Sequence, residues 1–183
     1  MDLTPLQSRL CEHEGVIPHL YLDTMGYCTC GIGHLVISPA EAQKLPWIDP
    51  TGEPPTNDDI SEEFWRIHGQ EKGHVAEYYE RFCRLRLTDA AMREQLGKDI
   101  LANSPAPFLP GFDTFPEPAK EALLDMSFQL GAAGLIKEFP HMIAAVKARD
   151  WNTCAQQCWR QGIQAWRNED TEELFKKAAG VAA

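Results

Sequence analysis

The segment His13–Leu35 reads HEGVIPHLYLDTMGYCTCGIGHL and carries most of the local features from which a fold can be argued. After Gly15, apolar, aromatic and β-branched residues alternate with polar ones on both sides of Gly26. Such alternation around a glycine-containing turn is typical of a β-hairpin. We therefore predict strands over about 20–25 and 27–32, with a third strand after His34.

The residues before this segment predict a helix. Thr4 is a residue type that caps helix N-termini, and Pro5 suits the first helical position. An apolar stripe follows, and Gly15 is the residue type that most often ends a helix. The first helix should therefore end at Glu14.

The chain after the hairpin predicts mostly helix, because apolar residues recur every three to four positions. We predict a short helical segment from Ser38, a loop over 46–59, and helices over about 61–85, 88–100, 118–130, 137–148, 152–159 and 171–179. The fold class is then α+β, mostly helical, in a single domain of residues 1–183. A small β-containing lobe of about 15–60 would lie beside a helical lobe formed by 1–14 and about 61–183.

The charge balance excludes some partners. The 17 basic residues face 27 acidic ones, for a formal net charge of −10. Binding to nucleic acid requires clustered Lys and Arg, so nucleic acid is not an expected partner. No apolar run approaches the roughly 20 residues of a membrane-spanning helix, and the N-terminus lacks a basic region followed by an apolar one, so we expect neither membrane insertion nor a signal peptide.

The cysteines are expected to be reduced and structural. The chain has six, and none of them form a C-x-x-C pair. Cys28 and Cys30 would lie on one face of a strand, and Cys154 and Cys158 one turn apart on a helix. Both spacings suit packing in a core, and a chain with 44% hydrophobic residues does not require disulfides.

Two carboxylates on different elements form the main candidate for chemistry. Glu14 lies at the predicted C-terminus of the first helix, where the helix dipole disfavours the carboxylate anion and suits a general acid. Asp23 follows on the hairpin, and Thr29 lies on the opposing strand. Hydrolysis of a glycosidic bond needs such a pair of carboxyl groups. Taken singly, a residue of each kind more often has a solvated or structural role than a catalytic one.

The pattern from Glu14 to His34 resembles the active-site segment of the phage-type lysozymes, glycoside hydrolase family 24. The pattern of the T-even phage type, E-G-…-Y-x-D-T-x-G-x-x-T-x-G-I-G-H, is matched at each letter. A second stretch, Asp125–Gly134, is similar to the family's N-M-x-F-Q-x-G-x-x-G helix at the floor of the cleft. The residues from Leu87 to Ala91 look like the start of its long interlobe helix.

The resemblance implies a fold and a reaction. The fold is lysozyme-like, with the active-site cleft between the two lobes. The reaction is hydrolysis of the β-1,4 bond between N-acetylmuramic acid and N-acetylglucosamine in peptidoglycan glycan strands, without metal or cofactor. Glu14 would be the acid, Asp23 the partner carboxylate and Thr29 a hydroxyl that positions water or sugar. The remaining implied positions are His34 as a supporting residue and Leu35, Phe128 and Gln129 as residues of the substrate groove.

Alternatives to a muramidase remain at this point. A non-catalytic wall-binding module could retain the fold, although it would not need Glu14, Asp23 and Thr29 together. A chitinase-like glycosidase would act on an uncharged polymer, which the acidic composition favours. His34 could also be a metal ligand or a base, but no second His or Cys lies at ligand spacing on the same element, which favours a structural role.

The biological setting also stays open. Either a phage endolysin or the lysozyme domain of an antibacterial effector is consistent with the sequence, and an effector would have an immunity protein as partner. We expect a monomer, made in the cytoplasm and delivered to the periplasmic cell wall by another component.

Two further groups of residues are interpreted as structural. Tryptophan at helical spacing more often belongs to a core than to a sugar-binding surface, and this interpretation applies to Trp47, Trp65, Trp151, Trp159 and Trp166. The acidic run Asp58, Asp59, Glu62 and Glu63 lacks the spacing of a calcium loop, and we interpret it as the first turn of a helix.

Overall fold

The computed structural model describes residues 3–181 and confirms a mostly helical α+β chain. One antiparallel sheet has the order β1-β2-β3, formed by Ile17–Leu22, Cys28–Gly31 and His34–Leu35. The α-helices of the described chain are α1 Thr4–Glu14, α2 Pro39–Ala42, α3 Asn57–His68, α4 Ala76–Tyr79, α5 Asp89–Ala102, α6 Glu117–Leu130, α7 Ala132–Glu138, α8 Pro140–Ala148, α9 Trp151–Gln157 and α10 Ala165–Val181.

The chain divides into two compact units. One runs from Gln7 to Lys98 and contains the sheet; the other contains the residues up to Leu6 and those from Asp99 onward. In the sheet unit, β1 packs against α3 and α4. Leu20, Phe64 and Ile67 are among its fully buried side chains, so the core lies between the sheet and these two helices.

The first helix ends where it was predicted, and the hairpin is present, but its first strand is Ile17–Leu22 rather than about 20–25, because the turn already begins at Asp23. α1 ends at Glu14, and Gly15 follows with a positive φ of 76°, a conformation in which a β-carbon would be strained. Tyr21 pairs with Thr29 across β1 and β2. The predicted third strand is β3, which begins at His34.

The long helix predicted over 61–85 is wrong. α3 begins earlier, because Thr56 and Asp59 form a reciprocal capping box, and it ends at His68, with Gly69 as its C-cap. Residues 70–75 are not helical, and α4 is a separate short helix. Arg86 then forms a two-way backbone bridge with Ile48, so the chain is held in an extended conformation at the end of this segment.

The acidic run is interpreted correctly in part. Asp58 and Asp59 lie in the first turn of α3, where the helix dipole favours negative charge. Glu63 lies one turn further and is buried, 1% exposed. Its carboxylate accepts hydrogen bonds from the backbone N–H groups of Arg84 (2.6 Å) and Leu85 (3.1 Å), so it holds the end of the 70–85 segment against α3.

The second unit consists of helices packed around a buried core, with α10 against both α6 and α9. The helix predicted over 137–148 is two helices, α7 and α8, because Pro140 cannot continue the helix that precedes it. α10 begins at Ala165 rather than at the predicted 171. Phe175 and Leu123 are fully buried in this core.

No disulfide joins any of the six cysteines, which all lie within residues 3–181, and all except Cys11 are buried. The tryptophans follow the core interpretation only in part. Trp47 and Trp151 are buried, whereas three others are 44 to 58% exposed, namely Trp65, Trp159 and Trp166. Over residues 3–181, no helix is both long and apolar enough to span a membrane.

Candidate functional site

Glu14 is the last residue of α1 and is half-buried. The backbone turns immediately after it, and the N–H of Gly15 donates to the carbonyl of Cys11 at 3.2 Å. Its side chain lies against the loop between β2 and β3: a β-carbon built on Gly33 would be 3.7 Å from Glu14 Oε2. The helix end and the sheet thus meet at the carboxyl group of Glu14.

Asp23 lies directly after β1 and organises the hairpin turn. Its Oδ1 accepts hydrogen bonds from the backbone N–H groups of Met25 (2.9 Å) and Tyr27 (2.8 Å). Its own N–H donates to the carbonyl of Tyr27 at 2.9 Å. The side chain therefore closes an Asx-type turn through Oδ1. The turn does not use Oδ2, which is the oxygen that could act on a substrate or on water.

Thr29 lies in the centre of the sheet, on β2, between Tyr21 of β1 and Leu35 of β3. It is buried, 5% exposed, and its hydroxyl donates to the carbonyl of Tyr27 at 3.3 Å. The predicted pairing of Thr29 with the Asp23 hairpin is thus present, in a more enclosed position than the sequence pattern suggests.

Tyr21 is a half-buried residue of β1, and sequence reasoning assigned it no role. Burial raises the pKa of its phenol to about 12, with further contributions from Cys30, then Glu14, then Asp23. The negative charges of Glu14 and Asp23 thus raise the pKa in the same direction as burial. The sequence signal that could have identified Tyr21 is its position two residues before Asp23, on the strand predicted to lie opposite Thr29.

His34 and Leu35 form the third strand. His34 pairs with Cys30, and its Nδ1 lies 3.3 Å from the amide nitrogen of Gln95 on α5. Leu35 is 47% exposed and pairs with Thr29. His34 therefore joins the sheet to α5, and Leu35 presents an apolar side chain at the surface beside the candidate residues.

Phe128 and Gln129 lie on α6, in the unit that begins at Asp99. Phe128 is half-buried and Gln129 is exposed. Gln129 Oε1 accepts a hydrogen bond from Arg160 Nη1 at 3.0 Å. One predicted groove residue is thus fixed by a residue that the sequence did not identify.

Arg160 is the centre of a buried polar network, 4% exposed. Its guanidinium donates to Asp125 (3.0 Å) and Thr171 (2.7 Å), and its backbone N–H donates to Asn168 (3.0 Å). Asp125 also pairs with Arg167 at 3.4 Å. A buried carboxylate between two guanidinium groups fixes α6 relative to the start of α10.

Five predicted residues lie in the sheet unit, namely Glu14, Asp23, Thr29, His34 and Leu35. Glu14 ends α1, whereas Asp23 and Thr29 belong to the hairpin. No model of a known protein family matches the chain, and no curated protein matches it significantly. The resemblance to phage-type lysozymes is therefore carried by the motif residues alone.

Proposed function

We propose that this chain is a peptidoglycan hydrolase, a muramidase that cleaves the β-1,4 bond between N-acetylmuramic acid and N-acetylglucosamine. The observation that carries the proposal is the placement of two carboxyl groups on different elements: Glu14 ends α1 with its side chain against the β2–β3 loop, and Asp23 directly follows β1, the strand that pairs with β2. A glycosidase needs one carboxyl group that donates a proton and a second that acts on the opposite side of the scissile bond.

The two carboxyl groups differ in their surroundings, which suits different roles. Glu14 ends α1 and is half-buried, with its side chain against the β2–β3 loop. We assign it the proton donated to the leaving oxygen. Asp23 is oriented by two backbone N–H groups that donate to its Oδ1, and we assign it the partner role toward water or the sugar cation.

The lysozyme-like arrangement implied by the resemblance is part of this proposal. In it the glycan lies in a cleft whose lining includes Leu35, Phe128 and Gln129, and Thr29 positions water or sugar. The net charge of −10 offers no long-range attraction to an anionic wall polymer. Affinity would then come from the shape of the cleft and from hydrogen bonds within it.

The proposed setting follows from the substrate. The enzyme would act as a monomer on the cell wall after delivery by another component, either as an endolysin or as an antibacterial effector. An effector of this kind would be held inactive in its producer by an immunity protein.

Digestion of purified peptidoglycan tests the proposal. The wild type, Glu14→Gln and Glu12→Gln are compared, with mass analysis of the fragments and circular dichroism to check folding. Glu12 is the matched control, because it is exposed on the same helix. We expect fragments with reducing-end muramic acid from the wild type and Glu12→Gln, and none from Glu14→Gln.

Two other results would replace the proposal. Binding of the wall without release of fragments by any folded variant would indicate a non-catalytic binding module. Cleavage of chitin in preference to peptidoglycan would indicate a glycosidase for an uncharged polymer. Equal activity of Glu14→Gln and the wild type would remove Glu14 from the acid role.

A further inference from the structure

A cavity of about 330 Å³ lies wholly within the unit that begins at Asp99. Its lining includes Gln129 from the end of α6, Glu138 and Phe139 from the junction of α7 and α8, and Trp159 after α9. Only Gln129 among these was a predicted groove residue. The other three come from a part of the chain to which the sequence assigned no binding role.

Trp159 is held in place with its ring exposed. Its indole N–H donates to Glu172 Oε2 at 2.8 Å, and the side chain is nevertheless 49% exposed. Glu172 is in turn paired with Lys176 on the next turn of α10. The polar edge of the indole is therefore satisfied within the protein, and what Trp159 offers to the cavity is an aromatic surface of fixed orientation.

Gln129 is held in an orientation that its neighbour dictates. Arg160 carries only donors, so its bond at 3.0 Å requires the oxygen of the Gln129 amide. Arg160 is itself held by Asp125 and Thr171. With Oε1 committed in this way, Nε2 is the Gln129 atom that can donate a hydrogen bond into the cavity.

Glu138 supplies the opposite chemistry. Its carboxylate is exposed and belongs to the cavity lining, where it can accept hydrogen bonds from ligand hydroxyl groups. The cavity thus combines an aromatic surface, an amide donor and a carboxylate acceptor. A pyranose ring with an acetamide group matches all three, through its C–H face, its acetamide carbonyl and its hydroxyls.

We propose that this cavity binds one N-acetylated sugar ring, with Trp159 as the stacking surface and Gln129 Nε2 as the donor to the acetamide carbonyl. The sugar class is that of the wall glycan, so the inference rests on the proposed function. It adds a binding position formed by Trp159, Glu138 and Phe139 to the groove residues already proposed.

Fluorine NMR of the protein labelled with 5-fluorotryptophan tests the proposal. The five tryptophans give separate probes, and Trp159→Phe assigns the resonance of position 159. The titration uses the Glu14→Gln background, so that the sugar is not cleaved, with N-acetylglucosamine trisaccharide as ligand and glucose trisaccharide as the comparison. We expect a saturable shift at Trp159 with the acetylated sugar and none at Trp65, which is also exposed but lies in the other unit.

Two variants test the individual contacts. Gln129→Glu retains an acceptor for Arg160 and removes the donor, and Trp159→Ala removes the stacking surface. Each should weaken binding of the acetylated trisaccharide about tenfold, which corresponds to the loss of one hydrogen bond or one stacked ring. Trp65→Ala should leave the affinity unchanged.

The outcomes separate this inference from the proposed function, because hydrolysis of peptidoglycan is measured independently with the wild type. Hydrolysis without a shift at Trp159 would overturn the inference and leave the muramidase proposal standing. A shift at Trp159 without hydrolysis would support the cavity and overturn the muramidase. Equal shifts with both trisaccharides would overturn the assignment of Gln129 to an acetamide group.

Discussion

Glu14 and Gly33 lie in contact across the boundary between helix and sheet. A β-carbon at position 33 would be 3.7 Å from both Cγ and Oε2 of Glu14, which is ordinary van der Waals distance. Gly33 also has a φ of 69°, a conformation that side-chain-bearing residues rarely adopt. The surroundings of the proposed acid therefore depend on a backbone conformation that favours glycine.

Gly33→Ala should slow hydrolysis and lower stability. We expect the free energy of unfolding to fall by about 1–2 kcal/mol because of the positive φ. Relaxation of the strained backbone at position 33 would shift the β2–β3 loop against which Glu14 lies, and a displaced acid should reduce kcat roughly tenfold or more. Gly52→Ala is the control, since Gly52 has a φ of 88° and nothing within 4 Å of its built β-carbon. Equal kcat in the two variants would contradict this account.

Asp23→Asn should reduce activity while leaving the hairpin turn intact. An amide oxygen can still accept from the N–H groups of Met25 and Tyr27, so the variant should fold with nearly wild-type stability. Loss of the negative charge should reduce kcat by roughly 100-fold, the scale of a lost electrostatic contact in a transition state. Urea unfolding and a peptidoglycan assay would measure the two effects.

Alanine variants provide the matched comparison. Asp23→Ala removes the acceptor as well and should destabilise the hairpin by about 1–2 kcal/mol. Asp49 forms the same kind of turn, accepting from the N–H groups of Thr51 (2.8 Å) and Glu53 (3.0 Å). Asp49→Ala should lower stability and leave kcat unchanged, and a loss of activity there would refute a special role for Asp23.

Asp125→Ala should be strongly destabilising. The side chain is fully buried and pairs with Arg160 and Arg167, so its removal leaves two buried guanidinium groups without their counter-charge. We expect a loss of about 3–5 kcal/mol in the free energy of unfolding. Asp113→Ala, at an exposed position in the same unit, should be close to neutral, and a similar loss in both variants would argue against the network.

Glu63 should make stability depend on pH. Burial raises the pKa of its carboxyl group, against the opposing effect of the backbone N–H groups of Arg84 and Leu85. A pKa raised in the folded state means that the protonated form is favoured there, so its contribution to stability is present at low pH and lost as pH rises through the raised pKa.

The difference in unfolding free energy between the wild type and Glu63→Gln measures this effect. Glu63→Gln is neutral at every pH, so the difference should move against the wild type as pH increases from about 4 to 7. Glu62→Gln changes the same net charge at an exposed position and is the control. A difference that is constant over this range would show that Glu63 titrates alike in the folded and unfolded chains.

Thiol reactivity should single out Cys11. It is the one partly exposed cysteine, and Arg93 Nη1 lies 3.7 Å from its sulfur. Burial raises the pKa of Cys28, Cys83 and Cys154 to about 12, so these thiols carry almost no reactive thiolate at pH 8. We expect one rapid equivalent with a thiol reagent in the folded protein and six in denaturant; two or more rapid equivalents would contradict the burial.

Local sequence patterns were sufficient for the first helix and for the presence of the hairpin, although not for the bounds of its first strand. Gly15 after Glu14, and the alternation around Gly26, determine structure through backbone conformations that act within a few residues. The same reasoning failed between 61 and 85. Apolar spacing there continued past Gly69, where α3 ends. The course of the chain up to Arg86 is fixed by contacts between positions far apart in sequence: Arg86 bridges Ile48, and Glu63 binds the backbone N–H group of Arg84.

The candidate site shows the same division. Glu14, Asp23 and Thr29 could be selected because they lie within one short motif. The roles of Tyr21 and Arg160 could not, since Tyr21 gains its position from strand pairing and Arg160 from contacts with residues 31 to 35 positions earlier in the chain. Trp159 was assigned to the core because helical spacing alone does not reveal which aromatic side chains stay exposed.

The hydroxyl of Thr29 has a single proton, which it donates in a hydrogen bond to the carbonyl of Tyr27. The Thr29 oxygen can therefore act toward a water molecule only as a hydrogen-bond acceptor. A water bound there must turn one of its own hydrogens toward Thr29, and its lone pairs then face away. In a hydrolase, this hydrogen bond would orient the lone pairs of a nucleophilic water molecule away from Thr29. Thr29→Val keeps the shape of the side chain and removes its oxygen, so such a water would lose this orientation.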